Sequence, residues 1–520
     1  MAVKVMRPPD NGGVRQGRAH VPHSSAARSL PVSDATARPS GQQAPRSGLD
    51  RYFAISERGS TVAREIRGGL VTFVAMVYIV VLNPLIIGTQ QDANGNYLGS
   101  GRTMDLAAVA AVTALVAAFF TLLMGIVGRY PFALATGLGL NAFVAFQVAS
   151  QMSWPAAMGM VVIEGLVITA LVLTGFRTAV FYAIPRELKS AIAAGIGLFI
   201  ALIGFVDAGF VRAGNPVLKL GGPEGLRGWP LLVFVVGLLL TAVLMVRKVK
   251  GALLIGIASA TVLAVVIEAV AHVGKAGEKN PYGWQLNVPS FDGKSFGAPD
   301  LHLLGDFSLG GGFSAVGVVS AIVIIFSLVL SDFFDVMGTT IGLGSEAKLL
   351  DEKGNLPRIG PVLFVDGVAA IGGGVAGASS ATTYVESAAG IGDGARTGLA
   401  SVTTGLLFVV TVFLSPIAQI VPSEAATPAL VVVGVLLMGQ IREIDLRDLS
   451  VAVPAFLTIV LMPFTYSITN GVGAGFISWV VIRAATGRAR SVHPLLWIVS
   501  ALFAVYFAIE PIKTLFGIGQ

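Results

Sequence analysis

Apolar residues fill long, nearly uninterrupted stretches of this sequence, and short polar stretches separate them. Most apolar stretches are about twenty residues long, the length that an α-helix needs to cross a bilayer. The pattern predicts spans at 68–88, 104–127, 137–150, 155–175, 187–206, 229–247 and 251–272, then at 316–342, 361–378, 382–392, 398–421, 427–442, 450–468 and 471–486. A further apolar stretch, 494–515, is either a fifteenth crossing or an interfacial helix. We therefore predict an all-α polytopic membrane protein with about 14 transmembrane spans.

The composition agrees with this fold class. Of 520 residues, 54% are hydrophobic and 12% are charged, about half the charged fraction of an ordinary soluble domain. The chain has no Cys, which excludes disulfides and thiolate metal sites. Its five His residues lack ligand spacing, so we expect neither a metal nor another cofactor. The net charge of +6 fits the basic loops of a membrane protein better than nucleic-acid binding.

The distribution of charge along the chain predicts an orientation. Residues 1–48 are rich in Arg, Pro, Ser and Gly and are expected to form a disordered basic tail, not a signal peptide. Basic residues, from Arg129 to Lys250 and beyond, fall on alternate loops. The positive-inside rule places those loops and the N-terminus in the cytoplasm. The polar stretch 273–315 is then an extracellular loop of a multi-pass protein in the cell membrane.

Two halves of seven predicted spans flank that loop. Because seven is odd, the halves, residues 49–272 and 316–492, cross the membrane in opposite directions and form inverted repeats. Residues 493–520 form a separate C-terminal apolar segment. Spans 3 and 10 are short; span 3 follows a Pro-Gly interruption at 130–139, and span 10 follows the Gly-rich run 372–380. Matching interruptions of this kind are typical of the binding site of an inverted-repeat transporter.

Carboxylates inside the predicted spans are the candidate chemistry. A charge at bilayer depth is costly unless it faces a partner or a wet cavity. We expect one Asp of span 8 and Glu386 of span 10 to face each other across a midplane cavity, and we favour Asp332 as the residue that binds the ligand with Glu386. Asp335 lies three residues after Asp332, so we place it on the same helix face. Glu164 and Asp366 are expected to be structural or near an interface.

Such a cavity should bind a planar, neutral solute with N–H donors, because carboxylates accept hydrogen bonds. Asn141 and Thr383 would contact the acceptor edge of this solute, and Phe143 would offer a flat apolar face. Val385, next to Glu386, completes the predicted substrate-binding set of Asn141, Phe143, Asp332, Thr383, Val385 and Glu386.

The same carboxylates suggest how transport is driven. The sequence contains no phosphate-cradling nucleotide loop, so we do not expect ATP as the energy source. A buried carboxylate can take up and release a proton near neutral pH. Proton symport is therefore predicted, with Asp332, Asp335 and Glu386 as coupling candidates, and Na⁺ stays open as the alternative ion.

Three motifs resemble the signatures of the AzgA-like purine permeases of the nucleobase/ascorbate transporter family, also called nucleobase:cation symporter-2. They are GLGLNAFVAF (137–146), SDFFDVMGTTIG (331–342) and TTYVESAAGIGDGARTG (382–398), and the resemblance covers about residues 50–515. It implies fourteen spans in two inverted repeats. Spans 1–4 and 8–11 would form a core and the others a gate. Spans 3 and 10 would each begin with a short strand, and the two strands would meet at the midplane.

The resemblance also implies roles for individual residues. Glu386 matches the substrate-binding Glu of span 10, Asp332 the acidic residue of span 8 and Asn141 the polar residue of span 3. The implied substrates are adenine, guanine and hypoxanthine, imported with H⁺. Uracil and xanthine relatives carry His or Asp one turn after the acidic residue of span 8. This chain has Val336 there, with Asp335 one position earlier.

We therefore predict a proton-coupled importer of purine nucleobases that works by alternating access. One alternative is a sulfate- or bicarbonate-like anion carrier of the same fold, which would need cationic residues at the midplane. Another is a xanthine or uracil symporter. A membrane-embedded enzyme would need a catalytic constellation that the five His do not supply. The preferred purine, the coupling ion and a possible homodimer stay open at this point.

Overall fold

A computed structural model describes residues 47–99, 101–174, 184–215, 217–221, 225–290, 296–351 and 356–516. The predicted basic tail lies outside these residues except for its last two positions. Eight described helices are long and apolar enough to cross a membrane by length and composition. Five shorter apolar helices accompany them. The predicted fold class is confirmed, while the residue limits of the two repeats stay a prediction.

The first repeat begins with two interrupted helices. Span 1 is Val62–Met76 followed by Ile79–Ile87, and span 2 is Leu106–Leu123 continued by the π-helical turn Met124–Gly128. Span 3 joins strand β1 (Leu134–Thr136), helix Leu138–Phe143, π-helical turn Val144–Val148 and 3₁₀ turn Ala149–Gln151. Spans 4 to 7 are the helices Trp154–Thr174, Arg186–Asp207, Trp229–Val246 and Ala252–Ala271. A hairpin of β2 (Val211–Ala213) and β3 (Leu218–Leu220) connects spans 5 and 6.

The second repeat follows the same plan. Span 8 is Val318–Glu346, span 9 is Ile359–Val375, and span 10 joins strand β4 (Ala381–Thr383) to helix Ser387–Gly392. Span 11 is Gly398–Val412, and span 12 comprises Ser423–Ala426, Pro428–Met438 and the 3₁₀ turn Gly439–Glu443. Spans 13 and 14 are Leu449–Phe464 and Ile468–Ala485. We call the side of the bundle where span 1 begins at Val62 the N-side.

Span 11 ends earlier than its apolar run predicts. The run continues to residue 421, but the α-helix stops at Val412 and gives way to the 3₁₀ turn Ser415–Gln419. Pro416 explains the difference, because proline has no N–H to donate and disfavours a helical residue before it.

Helix packing reflects the inverted repeat. Span 4 packs along span 9 and, in the mirrored arrangement, span 11 packs along span 2. Span 1 also packs on span 11. Separately, span 5 packs on spans 12 and 13, and span 13 packs on span 14. The first set corresponds to the implied core and the second to the implied gate.

The C-terminal apolar stretch forms the helix Pro494–Phe516, which packs on spans 14 and 8. Phe503 is fully buried between Phe326 of span 8 and Phe476 of span 14, with ring centroids at 6.3 and 6.0 Å. The helix thus lies against transmembrane helices of both core and gate.

Glycines allow the core helices to touch backbone to backbone. A Cβ atom added to Gly398 would lie 2.1 Å from the carbonyl oxygen of Gly125 and 2.9 Å from the Cα of Arg129. No flexible side chain can move aside there, since both neighbours are backbone atoms. Spans 2 and 11 depend on this close contact.

Gly398→Leu is therefore expected to destabilise the fold by roughly 3 kcal/mol or more, because overpacking a tight contact forces the backbone apart. The measurement is the melting temperature and the monodisperse fraction of detergent-purified protein. Gly360→Leu is the matched control, since Gly360 is also helical and a Cβ there would meet nothing within 4 Å. Equal melting temperatures for both variants would contradict the proposed contact.

Candidate functional site

The two interrupted spans meet inside the bundle. Strand β1 pairs antiparallel with β4, with Ala135 opposite Thr382. The pairing is extended on both sides by Tyr384 N–H donating to the Ala133 carbonyl (2.9 Å) and Gly137 N–H donating to the Ser380 carbonyl (3.0 Å). This satisfies backbone groups that lipid could not. The helices of spans 3 and 10 follow the strands, beginning at Leu138 and Ser387, which is the strand–helix arrangement that the resemblance implies.

Glu386 lies where the helix of span 10 begins. Its side chain is partly exposed, and the Tyr78 hydroxyl donates a hydrogen bond of 2.5 Å to Oε1. Tyr78 sits in the break of span 1 between Met76 and Ile79, and its side chain is buried. Sequence reasoning missed Tyr78. The only available signal was a single aromatic hydroxyl in the first span, which also contains the polar residues Thr72 and Asn83.

Span 8 separates its two carboxylates. Asp335 is exposed and interacts electrostatically with Glu386, whereas Asp332 is fully buried. One Asp of span 8 thus lies near Glu386, but it is Asp335 and not Asp332, the residue expected to bind the ligand with Glu386. Three residues turn a helix by about 300°, roughly 60° short of a full turn. That offset directs Asp335 toward Glu386 and Asp332 into the packing between spans 4 and 9.

The remaining predicted residues lie at different depths. Val385 is 58% exposed beside Glu386, whereas Phe143 is fully buried and offers no surface to the same opening. The buried Asn141 amide donates long hydrogen bonds to the Thr136 hydroxyl (3.3 Å) and carbonyl (3.4 Å). Asn141 therefore braces the strand junction in this structure.

Thr383 points away from the opening. Its N–H and its hydroxyl both donate to Oδ1 of Asp366, each at 2.9 Å. Asp366 comes from span 9 and is buried. The expectation that Asp366 is structural or interfacial is refined by this contact, because it holds the strand that leads into Glu386.

One group of side chains among the described residues has metal-ligand spacing. Ligand atoms of Asp105, Asp300 and His302 lie within 4.8 Å of one another in loops outside the spans. Asp105 already caps the helix of span 2, and Asp300 accepts from His302 Nδ1 at 3.0 Å. The backbone N–H of His302 and its ring lower the pKa of Asp300. These contacts account for the group without a metal.

Comparison with known proteins matches most of the chain. The sequence profile of the "Permease family" matches residues 63–473. The adenine permease AdeP of Escherichia coli (strain K12) is 38% identical over 464 residues, covering 88% of this chain and 95% of that protein. The guanine/hypoxanthine permease PbuG of Bacillus subtilis (strain 168) is 37% identical, covering 88% and 99%. The chain belongs to the permease family.

Membership confirms the resemblance that the three motifs carry, and it makes this permease an integral membrane transporter and not an enzyme. Solved structures show the same fold. The transmembrane domain of a cyanobacterium bicarbonate transporter, BicA, matches with a TM-score of 0.55 at 14% identity, covering 80% of this chain and 97% of that domain. The structure of SLC26A9 matches with a TM-score of 0.56 at 14% identity, covering 85% of this chain and 67% of that chain. At these identities the likeness concerns the fold alone.

The permease site opens toward the N-side. From Asp335 to the end of span 8, Thr339, Gly342 and Glu346 continue one face at helical spacing, and all are exposed or partly exposed. Across from them, a Cβ on Gly392 of span 10 would lie 3.8 Å from Glu346 Oε1. On span 10, Val385 and Gly392 are exposed and Glu386 is partly exposed. We call the gap bordered by these exposed sides of spans 8 and 10, from Asp335 and Glu386 to Glu346, the crevice.

The opposite side of the permease is closed between core and gate. Phe146 of span 3 packs on Phe199 and Tyr466, with centroid distances of 6.4 and 5.8 Å. Next to it, the Gln147 amide donates to the Thr469 hydroxyl, and Thr469 N–H donates back to Gln147 Oε1 at 3.3 Å. Both Gln147 and Thr469 are buried. An aromatic layer and a two-bond contact thus block passage on that side.

An ion cluster ties core to gate at the N-side surface. Asp393, after span 10, bonds Lys250 of the loop between spans 6 and 7, and Arg67 of span 1 at 2.5 Å. The hydrogen bond from Lys250, and to a smaller extent that from Arg67, lowers the pKa of Asp393 below its usual value. The cluster is partly exposed, and such pairs contribute little to stability.

Proposed function

We propose that this permease imports purine nucleobases together with protons by alternating access. The observation that carries the substrate class is the crevice in which Asp335 and Glu386 face each other. Two carboxylates present acceptors to a ligand, so they select N–H donors. Purine bases are flat and carry N–H donors on ring nitrogens and, in adenine and guanine, on an amino group. The similarity to an adenine permease and a guanine/hypoxanthine permease supports the same substrate class.

The composition of the crevice argues against the anion-carrier alternative. The described stretches 134–151, 318–346 and 381–392 contain no Lys, Arg or His. An anion at this depth would face Asp335 and Glu386 without a compensating positive charge, which is strongly unfavourable. The solved structures that share the fold include a bicarbonate transporter, but fold alone does not determine the ligand.

The orientation follows from the loop charges. If the basic N-side is cytoplasmic, as the positive-inside rule requires, the described conformation is open to the cytoplasm and closed outside. Purine would be released from Glu386 and Asp335 through the crevice along span 8. Return of the empty carrier would then require the Phe146 and Gln147 contacts to break. Plasma-membrane location belongs to the same proposal.

Competition for uptake tests the substrate and the driving ion. Cells that lack purine uptake and express this chain should accumulate labelled hypoxanthine. Excess adenine, guanine and hypoxanthine should compete, whereas xanthine and uracil should compete at least about tenfold less well, since they present different donors and acceptors to the same carboxylates. A protonophore should abolish accumulation, and replacing Na⁺ with K⁺ should not. Competition by sulfate or bicarbonate, or Na⁺ dependence, would contradict the proposal.

A further inference from the structure

Three carboxylates lie together behind β4, on the side away from the crevice. Glu164 of span 4, Asp332 of span 8 and Asp366 of span 9 are at most 1% exposed. Asp332 interacts electrostatically with both of the others, and Glu164 with Asp366. We call these three residues the acidic trio. Spans 4, 8 and 9 contain no Lys, Arg or His over 154–174, 318–346 and 359–375.

Each member of the trio faces a different hydroxyl residue of the strand segment. The Ser380 hydroxyl donates to Glu164 Oε1 at 3.2 Å. Thr383 donates twice to Asp366. The Thr382 hydroxyl lies close to Asp332 without meeting hydrogen-bond geometry. The trio therefore contacts the short strand that ends three residues before Glu386.

The acidic trio has more hydrogen-bond acceptor atoms than its surroundings have donors. Within the described residues, both oxygens of Asp332 and Oε2 of Glu164 are buried without a hydrogen-bond partner, as is the Thr382 hydroxyl. A buried carboxylate in this situation is stable only if it is neutralised. The other titratable group that acts on Asp332 is Asp335, on the crevice side, which is also acidic. Neutralisation must therefore come from bound cations.

The geometry favours protons over a metal ion. Oxygen atoms of the trio do not form a group within 4.8 Å of one another, as those of Asp105, Asp300 and His302 do. A chelated Na⁺ would need several oxygens converging on one point, whereas a proton needs one carboxylate and a neighbouring acceptor. A small pocket lies beside the trio. Its lining includes Asp332 and Asp366 and the apolar Ile168, Val172 and Leu363.

We propose that the acidic trio carries the coupling proton, in a compartment separate from the purine contacts Asp335 and Glu386. The inference rests on the proposed function and adds the location of the coupled ion. A proton from water on the opposite side forms an O–H bond on one carboxylate of the trio. It leaves to water on the N-side after the core has moved. Loss of the proton leaves an extra negative charge behind β4 and changes the hydrogen bonds that position Thr383, and through it Glu386.

Glu164→Gln tests this role, because it keeps the side-chain shape and the acceptor for Ser380 while removing the titratable group. In proteoliposomes, wild-type protein should accumulate labelled hypoxanthine against a gradient when an inward pH gradient is imposed. We expect Glu164→Gln to accumulate at least about tenfold less hypoxanthine than the wild-type protein. Its exchange of hypoxanthine at equal pH should fall by less than about threefold. Proton entry on adding hypoxanthine, measured with a trapped pH dye, should disappear.

Glu424→Gln is the matched control. Glu424 is also a fully buried glutamate, accepting from the Gln285 N–H at 2.8 Å and from the Ser423 hydroxyl at 3.1 Å, but it lies in span 12 of the gate. This variant should keep both accumulation and proton entry. Asp332→Asn gives an independent measurement within the trio, since its carboxylate makes no hydrogen bond among the described residues. It should show the same loss of coupling as Glu164→Gln.

Two results would overturn the inference. One is that both trio variants, Glu164→Gln and Asp332→Asn, accumulate hypoxanthine and take up protons as well as the wild-type protein does. The other is an equal loss of exchange and accumulation in both variants, which would make the trio a purely structural support for β4. Failure of the wild-type protein to exchange hypoxanthine at all is a different result, because it would overturn the proposed function on which the inference rests.

Discussion

Glu386→Gln is expected to lower the rate of hypoxanthine uptake about 100-fold, equivalent to the loss of a charge-assisted hydrogen bond of about 2.7 kcal/mol. The reason is the way Tyr78 holds the carboxylate. The Tyr78 hydroxyl donates to Oε1, so in the variant the amide oxygen should stay with Tyr78. The amide NH₂ then takes the place of Oε2. A donor would face the N–H edge of the purine where an acceptor is needed.

The measurement is the initial uptake rate, normalised to the amount of protein in the membrane. Glu346→Gln is the control, since Glu346 lies at the N-side mouth of the same crevice. It should transport within about twofold of wild type. The double variant Tyr78→Phe/Glu386→Gln frees the amide to rotate, so it should recover part of the loss. Such non-additivity is expected for residues in contact. Near-normal uptake by Glu386→Gln would contradict the central role of this residue.

Asp335→Asn is expected to weaken purine binding by about tenfold or more, because it exchanges one of the two facing acceptors for a donor. Asp332→Asn should bind purine with nearly wild-type affinity, since Asp332 is fully buried in the packing of spans 4 and 9. Titration calorimetry of the purified proteins measures both dissociation constants. Each variant lacks one carboxylate of the wild-type protein, and the two positions lie three residues apart on one helix. Each variant therefore serves as the control for the other.

The opposite result would support Asp332, the residue chosen from the sequence motif, as the purine contact of span 8. If Asp332→Asn abolishes binding and Asp335→Asn does not, Asp332 is the purine contact that the resemblance implies. The structure would then show a conformation in which span 8 is rotated away from its binding position. If both variants lose purine binding because they misfold, their monodisperse fraction should also be reduced. That fraction is measured on the same samples.

Much of the architecture follows from the sequence because it depends on local patterns. The length of an apolar run determines whether it can cross the bilayer, and an odd number of runs per half determines that the repeats are inverted. The Pro-Gly interruption at 130–139 and the Gly-rich run 372–380 mark the two interrupted spans. Glu386 stands out in the sequence for a similar reason, because a carboxylate among small polar residues at bilayer depth is costly, and its role in binding stays a prediction.

The assignment of Asp332 and Asp335 could not be made in the same way. Span 8 carries polar residues on more than one face, Asp332 on one and Asp335 with Thr339 on another, so its sequence does not indicate which face meets core or crevice. A rotation of roughly 60° separates two carboxylates three residues apart, and only tertiary packing decides which of them enters the crevice. The contact of Glu164 with Ser380 likewise joins positions far apart in the chain. Periodicity carries no information about such pairs.

The pairing of β1 with β4 constrains how the protein can be made. The ribosome produces β1 with the first repeat, and its partner strand appears only when the second repeat is well advanced. Until then lipid cannot satisfy the backbone groups of residues 134–136. Span 3 therefore cannot reach its final position in the membrane while the first half is being synthesised. Until β4 is available, its backbone must contact water or another protein. Biogenesis of the transport site is consequently a late step, and a chain truncated after the first repeat should be recognised as defective by quality-control proteases.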